Sequence, residues 1–185
     1  MPDETEIRAL VTRVVEGLVP NDAVEPAPSP DGLPVIAIGA DHGGYPLKER
    51  LGFRLRESGY EVVDCGTDSA DSVDYPDFAH KVARKVADGE ATYGIVIDGA
   101  GIGSSMVANK VPGVRAALCY DLSSARNSRE HNHANVLTLG AGLIGDGLAW
   151  QITQEWLATP WAPGRHAARV EKITEYERRY LREEK

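Results

Sequence analysis

The stretch Gly94-Ile95-Val96-Ile97-Asp98-Gly99-Ala100-Gly101-Ile102-Gly103-Ser104-Ser105 decides the fold of this chain. Its first half is a short apolar run without alternation, which suits a strand covered on both faces. Its second half spaces glycines through a tight turn and then becomes helical, so a strand feeds a helix through a loop that exposes its backbone. The same alternation continues on either side. Strands are expected at 35–39, 61–64, 94–98, 114–120 and 135–139, with helices near 46–58, 76–88, 103–110, 122–130, 145–158 and 166–182. Such alternation makes right-handed βαβ units around a parallel sheet. The expectation is an α/β fold, a Rossmann-like, doubly wound five-stranded parallel sheet of flavodoxin-like order with helices on both faces. Ligands in such folds bind beyond the carboxyl ends of the strands.

Composition bounds the function. The chain has 185 residues, 42% of them hydrophobic and 26% charged, ordinary proportions for a globular protein. Its two cysteines, Cys65 and Cys119, exclude a disulfide scaffold and a cysteine-rich zinc site and fit a reducing compartment. No apolar run approaches the roughly 20 residues of a membrane span. The first residues lack the basic-then-apolar layout of a secretion signal, so a cytoplasmic location is expected. A net charge of −8 argues against nucleic acid as a partner.

The charge is concentrated at one end. Residues 1–34 hold seven acids and two bases, which leaves the remaining 151 residues at −3. Within 1–19, Ile7, Leu10, Val11, Val14, Val15 and Leu18 form one apolar stripe at helical spacing. A helix this short is marginal alone and needs a partner surface. Residues 20–34 contain five prolines and read as a stiff, extended linker. The expected organisation is therefore a helix at 1–19, a linker at 20–34 and a catalytic or binding domain at 35–185.

The strand ends carry the polar groups. They are Asp41 and His42 after the first strand, Tyr75 after the second, Asp98 to Ser104 after the third, and His131 with Asn132 after the fourth. All are expected to converge on one edge of the sheet. The Gly99–Gly103 loop frees N–H groups for a phosphate or a developing oxyanion. Position 104 is Ser rather than the third glycine of a dinucleotide fingerprint. Asp98 reads either as a general base facing a substrate carbon or as a helix-capping carboxylate. A phosphoacceptor role is disfavoured, because the Lys and hydroxyl partners it requires are missing. His131 can relay protons near neutral pH, and His133 reads as a surface residue. No histidine pair has metal-ligand spacing. Arg165 and Arg169 are four apart on one helix face, placed either to clamp a phosphate or to pair with Glu171 or Glu175.

Several of these motifs, in order, resemble one family. They are Gly39-Ala40-Asp41-His42, Asp74-Tyr75-Pro76, Gly99-x-Gly-x-Gly103, Ala108-Asn109-Lys110, Asn135-Val136-Leu137 and Gly164-Arg165-His166-x-x-Arg169. Residues 35–182 resemble ribose 5-phosphate isomerase B and the galactose 6-phosphate isomerase subunits. The resemblance implies a metal-free and cofactor-free aldose–ketose isomerisation through an enediolate. It also implies a homodimer, or a tetramer, with shared sites. By carry-over, Asp41, His42 and Tyr75 line the sugar site, and His131 opens the ring. Asn132 binds hydroxyls. The N–H groups of Gly99, Gly101, Ile102, Gly103 and Ser104 hold the enediolate oxygen, and Arg165 and Arg169, with His166 between them, bind phosphate. Many members have Cys as the base where this chain has Asp98. A loop Thr of theirs is Ala100 here, and a phosphate-binding Arg is Gly142. Ribose 5-phosphate to ribulose 5-phosphate is the implied reaction. The alternatives are another tetrose, pentose or hexose phosphate, or a catalytically silent sugar-phosphate-binding cargo protein. The helix and linker at 1–34 resemble the encapsulation peptides of bacterial microcompartment enzymes, which implies a shell-protein partner for residues 1–19.

Overall fold

The computed structural model describes residues 32–181. The expected helix at 1–19 and nearly all of the linker at 20–34 lie outside the described residues. Five strands form one parallel sheet: β1 (Ile36–Ala40), β2 (Val62–Asp64), β3 (Tyr93–Asp98), β4 (Ala116–Leu118) and β5 (Val136–Gly140). Their order is β2-β1-β3-β5-β4. The sheet is doubly wound as expected, but it departs from the flavodoxin-like order at its last two strands: the crossover after β4 turns back, so that β5 lies between β3 and β4. The helices are α1 (Tyr45–Glu57), α2 (Tyr75–Ala87), α3 (Ile102–Ala108), α4 (Leu122–Glu130), α5 (Asp146–Ala158) and α6 (Ala167–Tyr180). A 3-10 turn at Gly164–His166 precedes α6.

Alternation along each strand divides the core in two. Ile36, Ile38, Ile95, Ile97, Leu137 and Leu139 face one side, where α1 brings Leu47, Leu51 and Leu55 and α5 brings Ile152 and Trp156. Ala37, Val96 and Val136 face the other, against Ala79, Val82, Ala83 and Val86 of α2 and Ala108 at the end of α3. Burying one of the larger of these side chains stabilises the fold by about 1.5–3 kcal/mol. Both faces of β3 and β5 are covered, which explains the uninterrupted Ile95-Val96-Ile97 run of β3 and the apolar run of β5, broken by Thr138 alone.

The outer edge of β4 is closed by a side chain. Asn109 Nδ2 donates to Ala116 O, and Ala116 N–H donates to Asn109 Oδ1, both at 2.9 Å. On the inner side of β4, Asn135 at the start of β5 extends the ladder below the strands, accepting from Arg115 N–H at 2.7 Å and donating to Gly113 O at 2.9 Å. These amides supply the pairing that a neighbouring strand would give. Asn109 and Asn135 of the quoted motifs are thus structural residues.

The expected convergence on one edge fails in part. A strand, its helix and the next parallel strand form an up-down-up path. The end of α4 therefore lies at the amino edge of the sheet, beside the start of β5. There Ala134 N–H donates to Ser128 O and Asn135 N–H to Arg115 O, at 2.9 and 3.1 Å. His131 and Asn132 sit on the edge opposite the glycine loop.

Candidate active site: two half-sites on opposite edges

At the carboxyl edge the glycine loop is pinned from outside through its carbonyls. Ala141 N–H donates to Asp98 O at 2.8 Å, Gly142 N–H to Gly99 O at 2.9 Å, and Tyr120 O–H to Ala100 O at 2.7 Å. Gly101 has φ +75 with Leu118 and Leu139 at its back, a backbone shape and space that only glycine meets without strain. The N–H groups turn inward. Asp98 Oδ1 accepts from Ala100 N–H at 2.7 Å and from Gly101 N–H. Oδ2 accepts from Ser104 N–H at 3.0 Å and from Ser104 Oγ–H. Asp98 is 5% exposed. Its carboxylate therefore occupies part of the anion cradle expected from the sequence, because two of the five expected donors, Gly101 and Ser104, give it their N–H groups. The N–H groups of Gly99, Ile102 and Gly103 have no acceptor among the described residues.

Three further side chains surround this loop. Asp41, 9% exposed, accepts from Gly44 N–H at 2.9 Å. A methyl group at Gly43 would lie 3.4 Å from Asp41 Oδ1 and 3.8 Å from Gly99 N, so the Asp41 carboxylate and the free Gly99 N–H flank one small space. Tyr75 opens α2, with Pro76 supplying the preset φ of a first turn. Its ring lies flush on Gly103, where a methyl group would come within 2.5–2.7 Å of Tyr75 ring and hydroxyl atoms. His42 Nδ1 lies 3.2 Å from the backbone of Val73. An open cleft of about 710 Å³ beside β2 is lined by Tyr45, Lys48, Asp64, Cys65 and Lys81. The buried Lys48 there bonds Asp64 at 2.7 and 2.8 Å and fastens α1 to β2.

The amino edge holds the second cluster. Arg129 anchors the end of α4: its guanidinium donates to Ala134 O and Tyr93 Oη and lies 4.4 Å from the Tyr93 ring and 4.9 Å from the Trp156 ring. This fixes where His131 emerges. The chain after α5 then closes onto it. Ala162 N–H donates to Glu130 O at 3.1 Å, Trp161 stacks on His133 at 4.8 Å, and His166 stacks on His131 at 4.1 Å with an interplanar angle of 8°. Arg165 and Arg169 arrive with His166. Among the described residues neither pairs with a carboxylate, and Glu171 is taken by Arg178 at 3.2 Å. Desolvation in the stack, then the neighbouring positive groups His131, Arg165 and Arg169, push the His166 imidazole below its ordinary value. His133, read from sequence as a surface residue, is half-buried instead. Burial and then Arg115 and Arg129 lower its pKa to about 4.

The model of the ribose/galactose isomerase family matches residues 36–173. The chain belongs to this family. It is an isomerase by that membership. The ribose-5-phosphate isomerase B of Escherichia coli is 46% identical over 144 residues, 78% of this chain and 97% of that protein. That of Mycobacterium tuberculosis is 38% identical over 145 residues, 77% of this chain and 90% of that protein. The structure of ribose-5-phosphate isomerase B from Clostridium thermocellum superposes with a TM-score of 0.78 at 53% identity, covering 79% of this chain and 99% of that one.

Within this isomerase neither cysteine is placed to replace Asp98. Burial pushes both the Cys65 and Cys119 thiols up, away from the thiolate form that reacts. One contributor to the amino-edge cluster escaped the sequence reading: Asn127, whose side chain reaches His131 and Asn132. Its position four residues before His131 was the available signal, since such pairs share a helix face.

Proposed function

We propose that this isomerase interconverts ribose 5-phosphate and ribulose 5-phosphate through an enediolate. The observation that carries the reading is the Asp98–Gly103 loop: a carboxylate ringed by N–H donors, with Asp41, His42 and Tyr75 around its mouth. Asp98 takes the C2 proton of the open-chain aldose and returns it to C1. The C1 carbonyl oxygen gains a proton from solvent or a site group as it becomes a hydroxyl, and the C2 hydroxyl gives one up to the same pool as C2 becomes the carbonyl, so no net proton is taken up. The free N–H groups of Gly99, Ile102 and Gly103 stabilise negative charge on the enediolate oxygen as it develops. For Asp98 to reach substrate, one of its four donors must let go. The Ser104 hydroxyl is the one that can rotate, and it is free to turn its proton toward the substrate oxygen.

His131 assists ring opening, Asn132 binds hydroxyls, and Arg165, Arg169 and His166 hold the phosphate. The two half-sites lie on opposite edges of one sheet, so a single chain does not close a site. A second copy does, twice, in a two-fold homodimer. The α6 helix, with no buried side chain, offers surface for such a contact. Incubation with ribose 5-phosphate in D₂O, followed by NMR, tests the reading. Ribulose 5-phosphate with solvent deuterium at C1 is expected. Turnover of a tetrose or hexose phosphate in its place would reassign the substrate, and no exchange with any phosphosugar would leave a silent binding protein.

The family model's match begins at residue 36, and residues 1–19 read as an address helix. We propose that they bind a shell protein or cargo of a bacterial microcompartment in the cytoplasm. Deleting residues 1–20 is expected to leave melting temperature and turnover unchanged; a large fall in melting temperature would mean that the helix packs on the domain.

A further inference from the structure

We propose that Asn127 is a positioning residue that fixes the tautomer of His131, so that the ring offers Nε2–H to the sugar. The role given to the ring rests on the isomerase reading; the tautomer itself does not. The assignment starts from a group of one polarity. The backbone carbonyl of Asn127 can only accept, and Asn132 Nδ2 lies 3.2 Å from it and 3.1 Å from Asn127 Oδ1. Asn132 therefore turns its NH₂ to both oxygens. That leaves Asn127 Nδ2 facing His131 Nδ1 at 2.9 Å. An amide NH₂ only donates, so Nδ1 must accept, and the proton of the neutral ring sits on Nε2.

Other charged groups around the ring leave this arrangement intact. Glu130 Oε1 is 3.7 Å from Nε2, beyond a good hydrogen bond. From the following turn and α6, His166 covers one face of the ring at 4.1 Å, with Arg165 and Arg169 behind it. The two rings meet face to face, so no ring N–H of one points in plane at a nitrogen of the other, and His166 Nε2 faces Arg165 Nε at 3.4 Å. A donor tautomer with a fixed ring plane is what protonation of a leaving ring oxygen requires. Asn132 thereby acquires a second role, orienting the amide that orients the histidine.

Full-length protein labelled with ¹⁵N-histidine tests this. Long-range ¹H–¹⁵N spectra distinguish the two tautomers, and His131→Gln identifies the resonance. The native ring is expected to be Nε2–H. Asn127→Asp places an acceptor opposite Nδ1. It is expected to move the proton there and lower kcat at least roughly tenfold with KM little changed. Asn127→Leu removes the donor alone and is expected to give a tautomer-averaged signal and a roughly fivefold loss of kcat. Asn127 is exposed, so unchanged melting temperatures separate these effects from misfolding. A native Nδ1–H ring, or an Nε2–H signal unmoved in Asn127→Asp, overturns the proposal. A native Nε2–H ring in a protein without isomerase activity overturns the functional reading and leaves the tautomer assignment standing.

Discussion

Replacing Asp98 with Asn probes two roles together, and the structure sets the size of one of them. The carboxylate accepts four hydrogen bonds, two on each oxygen. Asparagine keeps one accepting oxygen and turns an NH₂, which only donates, toward two donors. Two bonds are lost, and rotation of Ser104 Oγ to accept restores part of one. At about 1.5–3 kcal/mol for a bond to a charged group, the net loss is about 3 kcal/mol. Asp98 is nearly fully buried, so solvent does not screen this away. For a body of this size, 1 kcal/mol shifts the melting temperature by about 2–4 °C, so a fall of about 6–12 °C is expected. If Asp98 is also the base, kcat drops at least about a hundredfold. Asn at this position therefore does more than remove a base: it also loosens the loop. Asp98→Cys separates the roles: a thiolate can still accept loop N–H groups and a substrate proton, so kcat should stay within about tenfold of native. Melting curves and C2-proton exchange into D₂O supply both readouts. A melting temperature within about 2 °C of native in Asp98→Asn refutes the loop-organising role, and near-native exchange in that variant refutes the base.

Three further outcomes follow from the two edges. Mixing inactive Asp98→Asn and His131→Ala proteins, unfolded and refolded together, should restore about a quarter of native activity, since half the dimers are mixed and each holds one intact site; no recovery would place all groups of a site within one chain. Arg165→Ala and Arg169→Ala should each raise KM about tenfold or more while kcat changes little, reflecting loss of charge-assisted bonds to phosphate, and an unchanged KM would remove them from the phosphate site. His133 has its pKa lowered from 6.5 to about 4. Between those values the unfolded chain binds a proton that the folded one refuses, so stability present above pH 6.5 is lost as pH falls toward 4. The full shift corresponds to about 3 kcal/mol, which solvent around this half-buried ring reduces to about 1 kcal/mol. His133 has φ 50, which Asn tolerates. Urea midpoints at pH 7 and 4.5 should therefore differ less in His133→Asn than in native protein, and an equal difference would assign the acid loss elsewhere.

Much of this arrangement is legible in the sequence. Both ends of each strand lie within two residues of expectation; for β1 and β3 the reason is an uninterrupted apolar run that belongs to a strand covered on both faces. The Asp41, Tyr75 and Asp98 positions follow directly, since each ends a strand or opens the next helix. His131 was misplaced for a geometric reason: a residue at the far end of a helix has crossed the sheet. Glycines at 99, 101 and 103 announce available N–H groups, yet which anion takes them depends on the rotamer of a neighbouring side chain, and Asp98 takes those of two residues expected to meet substrate. Asn127 carries no motif; its role emerges only once Asn132 has fixed which end of the amide faces the ring.

The Asn109 amide on the outer rim of β4 sets how this molecule meets its neighbours. A bare strand rim is a template on which another chain can continue the ladder, and an asparagine seated there ends the series at five. Molecules at high local density are thereby hindered from continuing the sheet through the β4 rim at Ala116. Encounters are diverted to helical and loop surfaces, where side chains decide which contacts form. Asn109 thus contributes to colloidal behaviour without approaching any reacting group.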